Sequence, residues 1–197
     1  MTHPIHYNVS HLSELDIYLF KQGSHTKMYE KFGAHKMEHK GKKGVHFAVW
    51  APNAERLSVR GDFNDYAVDA HPLQLRDDDS GIWEGFIEGV EEGLTYKYHI
   101  VSKFHDIVHE KSDPFAFYSE KPSKSASRVW DLDGYDWKDK GWMGKRAKYN
   151  AHDAPVSVYE MLLGSWMRKV EADNRYLTYQ ELAVELLSYL KKMNYTH

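Results

Sequence analysis

The chain has 197 residues, room for one large domain or for one small domain with a piece of a second. Charged residues make up 28% and leave a net charge of −3, mixed along the chain, so there is no basic field for nucleic acid. No apolar run nears spanning length, and the absence of cysteine excludes disulfides and thiolate metal sites. The start, MTHPIHYNVSHLSELD, has no basic region followed by an apolar one, so it does not read as a secretory signal, and a cytoplasmic protein is expected.

In chain order, LSELDIYLFKQGSHTKMYEKFGA (12–34) carries one short helix over Ser13–Phe20, followed by a loop marked by Gly23 and Gly33. From Gly44 the pattern becomes alternating. VHFAVWAP (45–52) sets Val45, Phe47 and Val49 on one face and His46, Ala48 and Trp50 on the other. RLSVRGDF (56–63) points Leu57 and Val59 inward, and GIWEGFIEG (81–89) and LTYKYHIVSKF (94–104) follow the same rule. DIVHEK (106–111) closes a hairpin with the last of these. Trp50 and Trp83 lie within alternating strands and read as core or inter-sheet packing. The separators are turn formers: Pro52-Asn53-Ala54, Gly61-Asp62, Asp77-Asp78-Asp79-Ser80-Gly81 and Glu91-Glu92-Gly93. Short strands at this spacing predict a mainly β fold, an immunoglobulin-like β-sandwich. Its 14 Tyr and 6 Trp offer surfaces on which sugar rings stack.

Asp113-Pro114 ends the strand run. SEKPSKSASR (119–128) is polar and linker-like, and 130–153 lacks a period and reads as surface wrapping. VSVYEMLL (156–163) is different: apolar apart from Ser157 and Glu160, as in a strand covered on both faces. Thr178-Tyr179-Gln180-Glu181 is a capping box, and Leu182, Ala183, Leu186, Leu187, Leu190 and Met193 then keep helical spacing. A buried strand followed by an amphipathic helix is one βα unit of a parallel fold. The predicted divisions are a leader over 1–36, the sandwich over 37–120, a linker over 121–153 and the βα unit over 154–197.

The order WAPNAERLSVRGDFNDY, HPLQLRDDDSGIWEGFIEG, GLTYKYHI, KSDPFAF, ASRVWDL, APVSVYEMLLGSW and YLTYQELAVELLSYLKKMNYTH resembles the N-terminal half of bacterial glycogen (1,4-α-glucan) branching enzymes over roughly 12–197. The resemblance implies a family 48 carbohydrate-binding module joined to the start of an α-amylase-superfamily (β/α)₈ barrel. VSVYEMLL would be the first barrel strand and 178–193 the first helix. Debranching and trehalose-releasing relatives share the module, and Gly164-Ser165-Trp166 looks most like branching enzymes. Leu162 stands where members usually carry histidine, and Tyr66 ends the GxFNxW turn in place of Trp.

The implied activity cuts an α-1,4 link and rejoins the chain through an α-1,6 link, by double displacement on an Asp nucleophile with a Glu acid–base. A barrel needs about 250 residues, and one of its units is read here. No catalytic residue is therefore assigned to this chain, which alone is expected to be inactive. Glu160 reads as a structural hydrogen-bond partner. The implied partner is an α-glucan (glycogen or maltooligosaccharide), with no cofactor, nucleic acid or membrane. The rest of the barrel is a further expected partner, and the uncovered 156–163 strand is expected to be labile or to self-associate.

The resemblance nominates Tyr66 as a stacking aromatic and Lys97 as a hydroxyl-binding lysine. A second stacking Trp falls where this chain has Ile107 and Val108. The competing readings pack Tyr66 on its own loop and leave Lys97 solvated. HKMEH (35–39) satisfies the inverted zinc-peptidase pattern, but Gly33 and Gly41–Gly44 bracket it against the helix that this chemistry needs, and no metal site is assigned. His105 and His109 share the spacing on strand-like sequence. Asp77–Asp79 reads as a hairpin turn. Two other classes compete: a non-catalytic glycan-binding adaptor, and an immunoglobulin-like protein-interaction domain.

Overall fold

The structure, a computed structural model, describes residues 3–104 and 107–197. His105 and Asp106 lie outside the described residues, and with them the His105–His109 spacing and the start of the 106–111 strand. The chain forms two compact units, one reaching Tyr135 and one over Asp136–His197. The first contains β1 (Ile5–His6), α1 (Glu14–Lys21), β2 (Gly33–His39), β3 (Lys42–Trp50), β4 (Ala54–Gly61) and β5 (Gln74–Leu75). It continues with β6 (Ile82–Glu88), β7 (Thr95–Ser102), β8 (Val108–Lys111), β9 (Tyr118–Ser119) and β10 (Ser127–Arg128). The second contains α2 (Lys140–Met143), α3 (Arg146–Tyr149), β11 (Arg168–Lys169), β12 (Arg175–Tyr176) and α4 (Tyr179–Met193).

Two antiparallel sheets build the first unit. One runs β1-β6-β3-β2 with β5 on β6; the other runs β4-β7-β10-β9 with β8 on β7. The alternation read from sequence decides how they pack. Val45, Phe47 and Val49 meet Leu57, Val59, Tyr96 and Tyr98 in the core between the sheets. The opposite face of β3 is covered as well. Ala48 and Ile82 pack against Leu12, Ile17, Met28 and Phe32 of the N-terminal segment, which forms a third layer. Ser13 caps α1 by accepting from the Asp16 amide, and the Asp16 carboxylate accepts from the Ser13 amide in return. His46 is fully buried beneath this layer, its Nε2 3.2 Å from Glu84 Oε2.

One carboxylate sits inside this core. Asp113 Oδ2 accepts from the Tyr96 hydroxyl at 2.6 Å and the Tyr98 hydroxyl at 3.0 Å, and Oδ1 accepts from the Phe115 amide. Burial pushes its carboxyl above the ordinary range, and these donors oppose the shift.

Several strands begin or end away from their predicted places. β2 starts at Gly33, so the expected 36/37 division falls inside a paired strand, and HKMEH is strand, with none of the helical geometry of a zinc peptidase. β10 lies in the stretch read as linker, and Val129 after it is fully buried in the core. Ala126 and Val129 are the two apolar residues that flank it, too few to show a period. Trp83 is core, its Nε1 donating to the Ala51 carbonyl. Trp50, expected to be inside, is 55% exposed and meets Phe20 edge-on at the end of its strand. The Asp77–Asp79 run does turn a hairpin between β5 and β6. Gly81 there has φ +75°, and a Cβ would stand 2.8 Å from Pro52, so only glycine fits.

In the second unit α4 forms where its capping box predicts, with Thr178 and Glu181 bonding each other's amides. Only Leu182 of its stripe is fully buried, while Leu187 and Met193 are exposed. VSVYEMLL does not become a strand covered on both faces. It has no regular secondary structure, and Val156, Val158 and Leu162 are exposed, because the two short strands of this unit, β11 and β12, pair only with each other. At Ser157 and Tyr159 its backbone contacts come from the residues after α4. The Ser157 carbonyl accepts from the His197 amide at 3.0 Å, and the Tyr159 amide donates to the His197 carbonyl at 2.7 Å. Trp166 Nε1 donates to the Tyr159 hydroxyl, and both rings pack on Tyr189. Glu160 is exposed. Residues 130–153, read as wrapping without a period, include the exposed short helices α2 and α3. Among the described residues no helix is long and apolar enough to cross a membrane.

Candidate functional site

The outer face of the β4–β7 sheet carries both residues singled out for glycan contact. Strand alternation places Tyr96 and Tyr98 inward, so Thr95, Lys97 and His99 face out. Lys97 pairs with Arg60 across the ladder, and its Nζ donates to Ser125 Oγ at 2.9 Å. Its side chain is half-buried, not a freely solvated one.

Tyr66 is placed by the turn that follows β4. Gly61 packs so closely that a Cβ would stand 2.2 Å from the Thr95 carbonyl. Asn64 Oδ1 accepts from the Gly61 amide, and Asn64 Nδ2 donates to the Val59 carbonyl. Asp65 and Tyr66 then take left-handed backbone at φ +51° and +55°, which turns the chain back over the sheet. The Tyr66 hydroxyl donates to Thr95 Oγ1 at 2.6 Å, and Thr95 Oγ1 donates to Asp62 Oδ2 at 2.8 Å. Arg60 Nε donates to the Tyr66 carbonyl. Burial raises the Tyr66 hydroxyl above its ordinary pKa, so the ring stays neutral at any physiological pH. The result is a half-buried tyrosine ring held at its hydroxyl and at its backbone, beside a cross-strand pair of cations.

The negative charge here is paired. Glu110 on β8 accepts from Arg60 and from His99 Nδ1. Burial raises its carboxyl, and those two donors more than offset it and hold the group low. Tyr66 and Lys97 therefore share a face. Arg60 links them, as Lys97's ladder partner and as donor to the Tyr66 carbonyl, and Thr95, two residues before Lys97, receives the Tyr66 hydroxyl. Ile107 and Val108, where a second stacking ring is absent, are 45% and 53% exposed.

Arg60, Asp62, Thr95 and Ser125 were not singled out from sequence. The alternation of TYKYH gives Thr95 and Lys97 the same direction, which was the available signal. Nothing in SKSASR announces that Ser125 returns beside β7.

A turn of the form GDFN aiming an aromatic over an outward lysine, on the outer sheet of a β-sandwich, is what the comparisons with known proteins bear on. Residues 31–116 match the family described as carbohydrate-binding module 48 (isoamylase N-terminal domain). The module-48 match begins just before β2 and ends after Asp113, taking in β2 to β8, Tyr66 and Lys97, while β1, β9 and β10 lie outside it. Over a longer span the chain is 47% identical to the 1,4-alpha-glucan branching enzyme GlgB of Aquifex aeolicus, covering 94% of this chain and 29% of that protein. It is 50% identical to the GlgB of Albidiferax ferrireducens, covering 94% of this chain and 28% of the relative. With the GlgB of Synechococcus sp. (strain JA-2-3B'a(2-13)) the identity is 45%, over 96% of this chain and 26% of the relative. The chain thus spans less than a third of the length of these curated relatives. Among solved structures, Klebsiella pneumoniae pullulanase complexed with maltotriose superimposes with a TM-score of 0.44 at 30% identity, over 58% of this chain and 11% of that one.

Proposed function

We propose that this chain is the amino-terminal, glucan-handling part of a 1,4-α-glucan branching enzyme, working in the cytoplasm in glycogen synthesis. The observation that carries the reading is identity of 45–50% to branching enzymes sustained over 94–96% of the chain, well beyond the module-48 match. Tyr66 offers a ring face to a glucose unit, and Lys97 offers N–H donors to its hydroxyls. Neither residue is acidic and neither does chemistry. Their work is to hold an α-glucan or to position the barrel.

In this reading 121–153 joins the module to a (β/α)₈ barrel, with 156–163 as its first strand and α4 as its first helix. The contacts of His197 with Ser157 and Tyr159 support it. One residue that accepts from i+1 and donates to i−1 across the gap is the hydrogen-bond pattern of parallel strands, and a helix connects the two segments. No catalytic carboxylate is assigned to these 197 residues. The Asp and Glu of the retaining double displacement belong to other segments of the enzyme.

Affinity electrophoresis through glycogen tests the assignment. The wild-type chain is expected to be retarded and to show no branching activity on amylose. Tyr66→Ala is expected to weaken retardation about tenfold and Lys97→Ala by less. An unretarded wild-type chain would overturn glucan handling, and full retardation of both variants would remove these two residues from the site.

A further inference from the structure

We propose that a second sugar platform, centred on Trp130 and a cleft beside it, extends the Tyr66 face so that one linear α-glucan chain contacts both. The proposal rests on the glucan-handling reading above for its ligand, and on the following geometry for its place.

Thr95, Arg128 and Tyr118 are register partners in a row across β7, β10 and β9 and so point to the same outer face. With strands about 4.8 Å apart, the row from Thr95 to Tyr118 is roughly 10 Å long. Tyr66 stands at one end, its hydroxyl on Thr95. At the other end the Arg128 guanidinium lies 6.0 Å from the Tyr118 ring centre, and Tyr118 packs on Trp130 with centroids 4.9 Å apart. Tyr118 and Trp130 are 45% and 40% exposed. Each is braced by its neighbour, so little side-chain freedom remains to be lost on binding.

Trp130 also forms a wall of a cleft of about 470 Å³, within the size range of small-ligand sites. Tyr29, half-exposed, lines it too. Its polar groups are held in place. Lys36 Nζ donates to Glu92 at 2.8 Å and Asp131 at 3.2 Å, and Asp131 Oδ1 accepts from the Asp133 amide. A lysine ammonium has three donors and a carboxylate about four acceptor sites, so both keep capacity for ligand hydroxyls.

The chemistry of this lining selects the ligand class. Three carboxylates, Glu30, Asp131 and Asp133, line the cleft with one ammonium, Lys36, which pairs with Asp131. Lys27 pairs with Glu30 and the nearby Lys31 with Asp16, so none of these ammonium groups is left unpaired to attract an anion such as a sugar phosphate. His11 and His35 at the same cleft are kept below their ordinary pKa, first by burial, and add no positive charge at neutral pH. Exposed indole and phenol faces beside paired acceptors and a donor suit a neutral polyol with apolar ring faces.

Titration calorimetry with maltoheptaose, on wild type, Trp130→Ala and Tyr66→Ala, tests this. Trp130→Ala is expected to weaken binding about tenfold, and Trp130→Phe, which keeps a ring, to restore most of it. As a check independent of folding, the Trp130 indole N–H resonance, assigned by its loss in Trp130→Phe, should shift on adding maltoheptaose to the wild-type chain. If Tyr66→Ala weakens binding while Trp130→Ala does not and the indole resonance stays still, the second platform is overturned and the first stands. If the wild type binds no maltoheptaose, both fail together.

Discussion

Asp113 shows what one residue contributes to this fold. Two tyrosine hydroxyls in the core share its Oδ2, and its own amide donates to Ser127 Oγ on β10. It therefore ties β7 to its sheet neighbour β10 from inside. Asp113→Ala leaves both hydroxyls buried without an acceptor and is expected to lower unfolding stability by about 3 kcal/mol. Asp113→Asn keeps an acceptor and should cost less. Urea unfolding midpoints check the order, and equal losses for the two would contradict it. From sequence Asp113 was legible only as the start of Asp-Pro, a strand stop. The inward direction of Tyr96 and Tyr98 was implied by alternation, but a meeting with a residue 15 or more positions away was not.

Among the elements, β2 and the 156–163 segment are instructive in opposite ways. GAHKMEH has four charged or imidazole side chains in a row of seven and looks like a poor strand. It forms one because β3 offers a full antiparallel ladder from Gly33–Ala48 to His39–Lys42. It is an edge strand, and Lys36, paired with Val45 on the core-facing side, reaches out to Glu92 and Asp131, a charge that blunts the edge. VSVYEMLL has the composition of an inner strand but does not pair with the one small sheet of its unit, β11–β12. Val156, Val158 and Leu162 are 63%, 66% and 74% exposed. We expect this segment to drive self-association of the 197-residue chain. Sedimentation velocity should show species growing with concentration, and Val158→Lys should return the chain to a monomer. A wild type that stays monomeric throughout would refute this.

For the whole molecule, the buried titratable groups predict how stability follows pH. His11, His35 and His71 are held below the ordinary histidine pKa, in each case first by burial, with Lys31 adding repulsion at His11 and His35. A histidine lowered in the fold contributes fully above its unfolded pKa of about 6.5. That contribution is lost as pH falls below this value, because the unfolded chain takes up protons that the fold refuses. At Asp16, Glu84 and Glu110 burial raises the carboxyl, but hydrogen bonds prevail and hold each low, so their contribution is lost further down, through the carboxylate range. Asp113, raised by burial, acts the other way and is relieved by acid. Thermal midpoints should therefore decline between pH 7 and 5 and fall again below pH 4. His11→Gln and His35→Gln should flatten the first decline. A midpoint constant from pH 7 to 5 would rule out the imidazole contribution.

Local pattern determined a good deal of this protein. Alternation in 45–104 named the longer strands and most of their inward residues, and the capping box at Thr178 placed the start of α4, because period and caps are properties of neighbouring residues. The GDFN turn and the parity of Thr95 and Lys97 likewise put both nominated glycan contacts on one outer face. Tertiary structure alone decided what covers each surface. Alternation states that a face is apolar but not what meets it, so the N-terminal layer over His46 and Ala48 and the exposure of Trp50 were not legible. The same holds for VSVYEMLL, left uncovered within its unit, and for the Thr95–Arg128–Tyr118 row, which unites three strands from across 33 residues of sequence. Such contacts arise from how sheets pair, and a chain read in one dimension carries no record of that distance.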